Sequence, residues 1–299
     1  MISNSIMKNL KKGNSYGLIL TIPALLGIAI FIALPLVRSI LLSFNSLYLL
    51  EGMDSGKYIG FKNYVKFFND PNLFLFLKNT IIWVFGSVFG PGILGMILGL
   101  LLNRRIKARP LWRGLALIPW VMPPVVVGMI WRWILDGQWG ILNRLLQQIH
   151  IIDKPILWLA DTSYVMLSIV QVAIWKFFPF WFVNILAGLQ VIPQEMYEAA
   201  IIDGASSFNV FTKITLPQLR PILFVLVLLQ TIWSFNEFTI IWVLTQGGPG
   251  NTSMTLAPLV YVNSFKYYRM GYGASIGVVI MIITMIFTAI YLKREKINS

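Results

Sequence analysis

The sequence predicts an all-α, polytopic membrane protein with six transmembrane helices. Mean hydropathy is +0.75. Apolar residues make up 57% of the 299 and charged residues only 12%, where soluble domains carry about 25% charged residues. Several runs with few or no charges exceed the roughly 18 residues that mark a membrane helix. The ten-residue alternation of a membrane barrel is missing, and lipid forces each span to pair its own backbone polar groups, so the spans are expected to be helices.

Residues 1–16 are polar and carry Lys8, Lys11 and Lys12. The first span covers 17–44 and contains Pro23, Pro35 and, in its last third, Arg38, a side chain long enough to snorkel to the interface. A polar loop over about 45–77 holds Glu51, Asp54, Lys57, Lys62, Lys66 and Asp70. Within it, 60–74 reads as a short amphipathic interfacial helix and a turn. The second span, about 79–102, is rich in glycine, and Gly95 and Gly99 have the small-xxx-small spacing that lets helices approach closely. Arg104, Arg105, Lys107, Arg109 and Arg113 follow in one short loop without an acid. The third span, about 115–135, is broken by Pro123-Pro124. A mixed-charge segment leads to a fourth span, about 164–189, and the fifth and sixth spans cover about 222–244 and 274–292.

Basic residues cluster at span ends, so the net charge of +13 points to the positive-inside rule rather than to nucleic acid. With the N-terminus inside, the arginine-rich loop, Lys213 and Arg220, and the tail bases Lys293, Arg294 and Lys296 are also inside. Both termini are then cytoplasmic in a multi-pass chain of a bacterial-type plasma membrane. The chain has no cysteine and a single histidine, His150, which excludes disulfides, thiolate chemistry and a histidine metal cluster. No metal site, catalytic residue or bound cofactor is expected. A removable signal peptide is not expected either, because the first apolar run is too long for one.

Residues 195–221 form the longest stretch between two spans that is neither a span nor a loose loop, and 195–217 is the loop at its centre. They read as a helical hairpin. Pro193, Glu195 and Glu198 suit a helix start. Asp203-Gly204 stops this first helix, with Gly204 as a left-handed cap. Ser206 or Ser207 caps a second helix running to Leu216, which Pro217 is expected to end.

Glu198-Ala199-Ala200, three residues, Gly204, nine residues, Ile214, one residue, then Leu216-Pro217 fill every defined position of the EAA pattern. In this, the chain resembles the permeases of binding-protein-dependent ABC importers. Thr245-Gln246-Gly247-Gly248-Pro249, with Thr255-Leu256, Tyr261 and Phe265 beyond it, is similar to the first of the two paired permeases in the maltose/oligosaccharide class. The resemblance covers roughly residue 61 onward.

It implies a type I ABC importer permease fold with a cytoplasmic coupling helix and a single transmembrane permease domain over 1–299, whose five-span core is 79–292. It also implies partners: a second homologous permease, two ATP-binding cassette subunits that bind ATP and Mg, an extracytoplasmic solute-binding protein, and a sugar. Glu198, Ala199, Ala200, Asp203, Gly204, Ala205, Ile214, Leu216 and Pro217 are then the ATPase-coupling residues. The chain contains no G-x-x-x-x-G-K-[ST] phosphate loop, in keeping with a separate ATPase. The outer segments 60–73 and 246–272 are expected to dock the binding protein.

Transporter sites gather near the bilayer midplane, at helix breaks and inward polar groups. Trp120 and Pro124 flank the proline break. Lys176 lies near the centre of the fourth span, beside Phe177 and Phe180. Trp233, Ser234 and Glu237 are expected on one face of the fifth. A central charge costs roughly 2.5–3.5 kcal/mol on insertion scales. Lys176 and Glu237 therefore pair with each other or with the second permease, or they line the sugar pathway, where Lys176 either favours an acidic sugar or hydrogen-bonds the hydroxyls of a neutral one. An ion-driven secondary transporter is the competing reading, with Glu237 as its one candidate ion ligand. An intramembrane enzyme needs a metal or nucleophile constellation, and neither is expected.

Overall fold

The structure is a computed structural model that describes residues 20–52, 56–104 and 106–298. The N-terminal segment 1–16, the start of the first span, Asp54 and Arg105 lie outside the described residues. Helices dominate. Among the described residues the extended pairing amounts to one bridge, Asn45 with Tyr58. The chain divides into two compact units, Met1–Phe67 with Asn263–Val278, and Phe68–Val262 with Val279–Ser299.

In the first unit, α1 (Leu20–Ser43) buries none of its most apolar window. Asn63, on the short helix α2 (Lys62–Phe68), fastens the end of α1. Its amide donates to the Ser43 carbonyl at 2.8 Å and to the Asn45 carbonyl at 2.9 Å. Ser43 Oγ and Tyr64 Oη share a hydrogen bond of 2.6 Å, and Phe44, Phe61 and Tyr64 pack ring to ring above them. The short helix expected here is therefore present, and hydrogen bonds hold it to the end of α1.

The second unit is organised on α3 (Leu73–Asn103) and α7 (Val165–Val191). Lipid is as apolar as leucine, so helix pairing here comes from close packing rather than from water exclusion. Gly95 lets α3 approach the backbone of α7 closely. A Cβ there would lie 2.6 Å from Trp181 Cβ and 2.8 Å from the Phe182 backbone nitrogen. Trp83, Ile169, Val172 and Ala173 form the centre of the packed core with Val127, Ile240 and Ile241.

The third span consists of α4 (Arg109–Val121) and α5 (Pro124–Ile134), which meet at 97°. Among the described residues five helices are long and apolar enough to cross a membrane, and this bent pair brings the number to six when taken as one span. Beyond it, α6 (Ile141–Gln148) carries Asn143, which is buried and ties the segment together. Asn143 donates to the Ile156 carbonyl at 2.9 Å and accepts from the Trp158 indole at 2.9 Å.

Two expectations need correction. The second helix of the hairpin does not stop at Pro217. It continues as α9 (Ser207–Asn236), following α8 (Gln194–Ile202). A π turn over Phe211–Thr215, closed by Leu216 N–H on the Phe211 carbonyl, carries the helix into Pro217 without a break. Conversely, the fifth span is not one helix from 222 to 244. It ends at Asn236 and resumes as α10 (Thr239–Thr245). The Glu237 carboxylate accepts from the Ile240 backbone N–H at 2.9 Å, and the Asn236 amide turns back to the Ile232 carbonyl. These local side-chain bonds compete with the helix ladder and stop it.

After α10, Gly247 has φ 86° and the loop folds back onto α3. Asn79 donates to the carbonyls of Asn251 and Met254, and Thr80 Oγ1 accepts from Leu256 N–H, the start of α11 (Leu256–Tyr261). The last helix, α12, covers Met270–Asn298.

Candidate functional site

Two groups of residues stand out. The first is the hairpin between α7 and the membrane part of α9. α8 ends in a Schellman-type reversal, with Ala205 N–H on the Ala200 carbonyl at 2.9 Å and Gly204 N–H on the Ile201 carbonyl at 3.0 Å. Gly204 takes φ 72° with no atom near its missing Cβ, so the turn is required by backbone geometry and not by crowding. Ser206 caps the next helix by accepting from Asn209 N–H. Of the motif residues, Glu198, Ala199, Asp203 and Gly204 are exposed and Ala200 is buried. Glu198 accepts from the Gln194 amide at 2.8 Å. Leu216 and Pro217 lie on the surface of α9, and Ile214 is half-buried. The sequence reading singled out the alanines of this face and missed its larger side chains. Ile201, Ile202 and Phe208 are 70%, 85% and 74% exposed. Their signal was available in the sequence: apolar residues on both sides of a cap, in a segment too short and polar to be a span.

The second group surrounds the bend between α4 and α5. Pro123 and Pro124 lack N–H groups, so the last turn of α4 has carbonyls without helical partners. Lys176 reaches them from α7. Its ammonium donates to the carbonyls of Pro119 at 3.0 Å, Trp120 at 2.8 Å and Met122. An ammonium has three donors, and three carbonyls take them. Lys176 is 4% exposed.

The bend brings aromatic rings together. Trp120 from α4 lies 5.9 Å from Phe180 of α7, and Phe180 lies 4.9 Å from Trp233 of α9, centroid to centroid. Trp120 and Trp233 keep 46% and 43% of their surface exposed. The result is a partly open aromatic strip built from three helices, fixed on one side by the Lys176 clamp one turn from Phe180.

The other singled-out residues are not part of the strip. Phe177 packs against the central core. Pro124 is exposed at the start of α5. Ser234 is buried and turned toward α3: it accepts from Ser87 Oγ at 2.8 Å, and its carbonyl accepts from the Trp83 indole at 3.0 Å. Trp233, Ser234 and Glu237 therefore do not share a helix face. Glu237 lies beyond the helix end as the cap of α10.

One G-x-S-x-G string does occur, Gly273 to Gly277, against the expectation of no nucleophile motif. Its Ser275 is fully buried inside α12 and donates to the Tyr272 carbonyl at 2.7 Å. A nucleophile elbow needs an exposed serine on a strand-to-helix turn, so this string is helix packing. Among the described residues no group of three or more His, Cys, Asp or Glu is placed to hold a metal.

Residues 92–295 match the family described as "Binding-protein-dependent transport system inner membrane component". The chain is 33% identical to the trehalose/maltose transport system permease protein MalF of Thermococcus litoralis, over 98% of each chain. It is 34% identical to the sulfoquinovosyl glycerol transport system permease protein SmoG of Agrobacterium fabrum, over 92% of this chain and 88% of that one. Among solved structures, a bacterial ABC transporter involved in import of the acidic polysaccharide alginate aligns with a TM-score of 0.83 at 20% identity, over 97% of this chain and 98% of that one.

Proposed function

Because this chain belongs to the family of binding-protein-dependent transport system inner membrane components, we propose that it is the permease subunit of an ATP-driven ABC importer for a sugar or oligosaccharide. The observation that carries the reading is the hairpin. The reversal at Gly204 presents Ile201 and Ile202 of α8 beside Phe208 of α9 at the surface, and α9 runs unbroken into the membrane. A partner that moves this hairpin moves a transmembrane helix with it, which is what coupling to an external ATPase requires.

In this reading two ATP-binding cassette subunits bind and hydrolyse ATP with Mg, and each grips one permease by its EAA helix. A second homologous permease completes the pathway. An extracytoplasmic binding protein delivers the sugar. The hairpin and both termini are cytoplasmic, and the chain itself catalyses nothing. The trehalose/maltose and sulfoquinovosyl glycerol relatives support a saccharide as the solute. The strip of Trp120, Phe180 and Trp233 suits it, since a sugar ring presents an apolar C–H face to an aromatic ring and keeps its hydroxyls for polar groups. Lys176 positions that strip by holding the Trp120 carbonyl. An acidic sugar is admitted on these terms, with its carboxylate met elsewhere in the assembly than at the occupied Lys176 ammonium.

The test is reconstitution of the permease pair with its ATPase and binding protein, followed by measurement of which sugars stimulate ATP hydrolysis. Deletion of Glu198 to Gly204 is expected to abolish stimulation and uptake. Uptake that persists without the ATPase would overturn the ABC reading in favour of an ion-driven carrier.

A further inference from the structure

A cleft of about 670 Å³ lies between the hairpin and the ends of α3 and α7. Leu100 and Leu189 line it from the spans, Tyr197 and Ile201 from α8, Phe211 and Thr215 from α9. Two links join α8 to α9 across this space. One is the chain itself, through the reversal at Gly204. The other, among the described residues, is one side-chain hydrogen bond, Tyr197 Oη with Thr215 Oγ1 at 3.2 Å. Thr215 is 4% exposed and is the last residue of the π turn over Phe211–Thr215. Its hydroxyl also lies 3.5 Å from the Val210 carbonyl, five residues back.

We propose that Tyr197 is a positioning residue for coupling: through Thr215 it fixes the angle between α8 and α9, so that a displacement of α8 moves the membrane part of α9 instead of being absorbed in the cleft behind the hairpin. The two links enter α9 at different places. The chain link arrives at Ser206, ahead of the π turn. A π turn interrupts the i→i+4 ladder, and helices bend where that ladder is interrupted. A push through the chain link alone therefore has a joint between it and the span. The link through Tyr197 arrives at Thr215, on the membrane side of that joint, and braces it. A tyrosine that only filled space in the cleft would be replaced by phenylalanine without loss; a brace would not. The inference rests on the coupling role proposed for the hairpin, and adds the side chain by which the hairpin holds the span.

The experiment is pulsed electron resonance on the transporter assembled with cysteine-free partner subunits. The chain has no cysteine of its own. Glu195→Cys on α8 and Val225→Cys on α9, both at exposed positions, carry one pair of spin labels. Their separation is measured without nucleotide and with magnesium adenylyl imidodiphosphate. With Tyr197 and Thr215 intact, one separation is expected in both states. Tyr197→Phe and Thr215→Val are each expected to raise a second, nucleotide-dependent separation about fivefold in population, the factor of one ordinary hydrogen bond. Combining the two should add nothing, because both remove the same bond. Thr215→Ser, which keeps the hydroxyl, should retain the single separation. An unchanged separation in Tyr197→Phe, an effect of Thr215→Ser as large as that of Thr215→Val, or additive effects would each overturn the proposal. So would a nucleotide-dependent separation with both residues intact, since the joint would then bend despite the bond. An ATPase that is not recovered with the labelled parent permease would sink the coupling reading and this inference with it. A recovered ATPase with an unchanged Tyr197→Phe separation sinks this inference alone.

Discussion

The Lys176 ammonium lies 2.8 Å from the Trp120 carbonyl oxygen, across the bend between α4 and α5. A charge in the apolar core is thereby neutralised by backbone dipoles that the prolines leave unpaired, and each feature makes the other tolerable. Lys176→Met leaves three buried acceptors without donors, at about 1–3 kcal/mol each. It also removes a charge that costs roughly 2.5–3.5 kcal/mol to insert. The net expectation is a destabilisation on the order of 2–3 kcal/mol, read as a lower unfolding temperature in detergent. Uptake of neutral and acidic sugars should fall together. A loss confined to acidic sugars would instead make Lys176 a ligand.

Trp233→Ala tests the aromatic strip. Trp233 is 43% exposed and touches Phe180 through its ring, so its removal leaves little buried void. An aromatic contact supplies about 0.5–1.5 kcal/mol beyond its area. Sugar-stimulated uptake should drop about tenfold with the unfolding temperature almost unchanged. Normal uptake with intact folding would remove the strip from the pathway.

How much of this was legible in the sequence follows from the range of the forces involved. The EAA hairpin was, because its cap and its reversal at Gly204 depend on residues within a few positions of each other. The break at Pro123-Pro124 was too, since proline acts on its own turn. That Lys176 fills this break was not: its partners are more than 50 residues away, as the bonds to Pro119, Trp120 and Met122 show. Ser234 was placed on the wrong side for the same reason, because its partners Ser87 and Trp83 lie on α3. The end of α9 at Glu237 was local and still missed. Hydropathy runs straight through it, whereas the deciding bond is one carboxylate on one backbone N–H.

Gly95→Ala should be among the most damaging small substitutions. The added Cβ would meet the Phe182 backbone nitrogen at 2.8 Å and Trp181 Cβ at 2.6 Å, neither of which can swing aside. Forced overpacking of this kind costs about 1–3 kcal/mol. Gly27→Ala, with no atom within 4 Å of the new carbon, should be neutral or gain up to about 1 kcal/mol of helix propensity. Thermal unfolding of the two variants checks the contrast, and equal effects would mean that α3 and α7 are not in this close contact.

Asp136 sets a pH response in the segment after α5. Its carboxylate accepts from Gln138 N–H at 2.9 Å and Trp139 N–H at 2.8 Å, and these bonds hold its pKa below the usual aspartate value. A depressed folded pKa means that the turn's stabilisation is fully present above the unfolded value of about 3.9 and is lost as pH falls through the lower folded value. A carbon-13 titration of the Asp136 carboxylate should show a midpoint under that of a free aspartate. A midpoint at or above it would contradict the bonded turn.

Gly204→Ala isolates backbone geometry from contact. Gly204 has φ 72°, and no atom lies within 4 Å of the carbon that alanine adds. The whole cost is then that of a left-handed L-residue, about 1–2 kcal/mol, which shifts the hairpin between reversed and relaxed forms roughly 5- to 30-fold. Since α9 continues the hairpin into the membrane, the loss should appear as weaker recovery of the ATPase with the purified permease and about tenfold lower uptake. The unfolding temperature of the spans should hardly change. Gly204→Asn should do less harm, because asparagine enters this region more readily. A Gly204→Ala transporter with full uptake would show that the reversal is not what the ATPase grips.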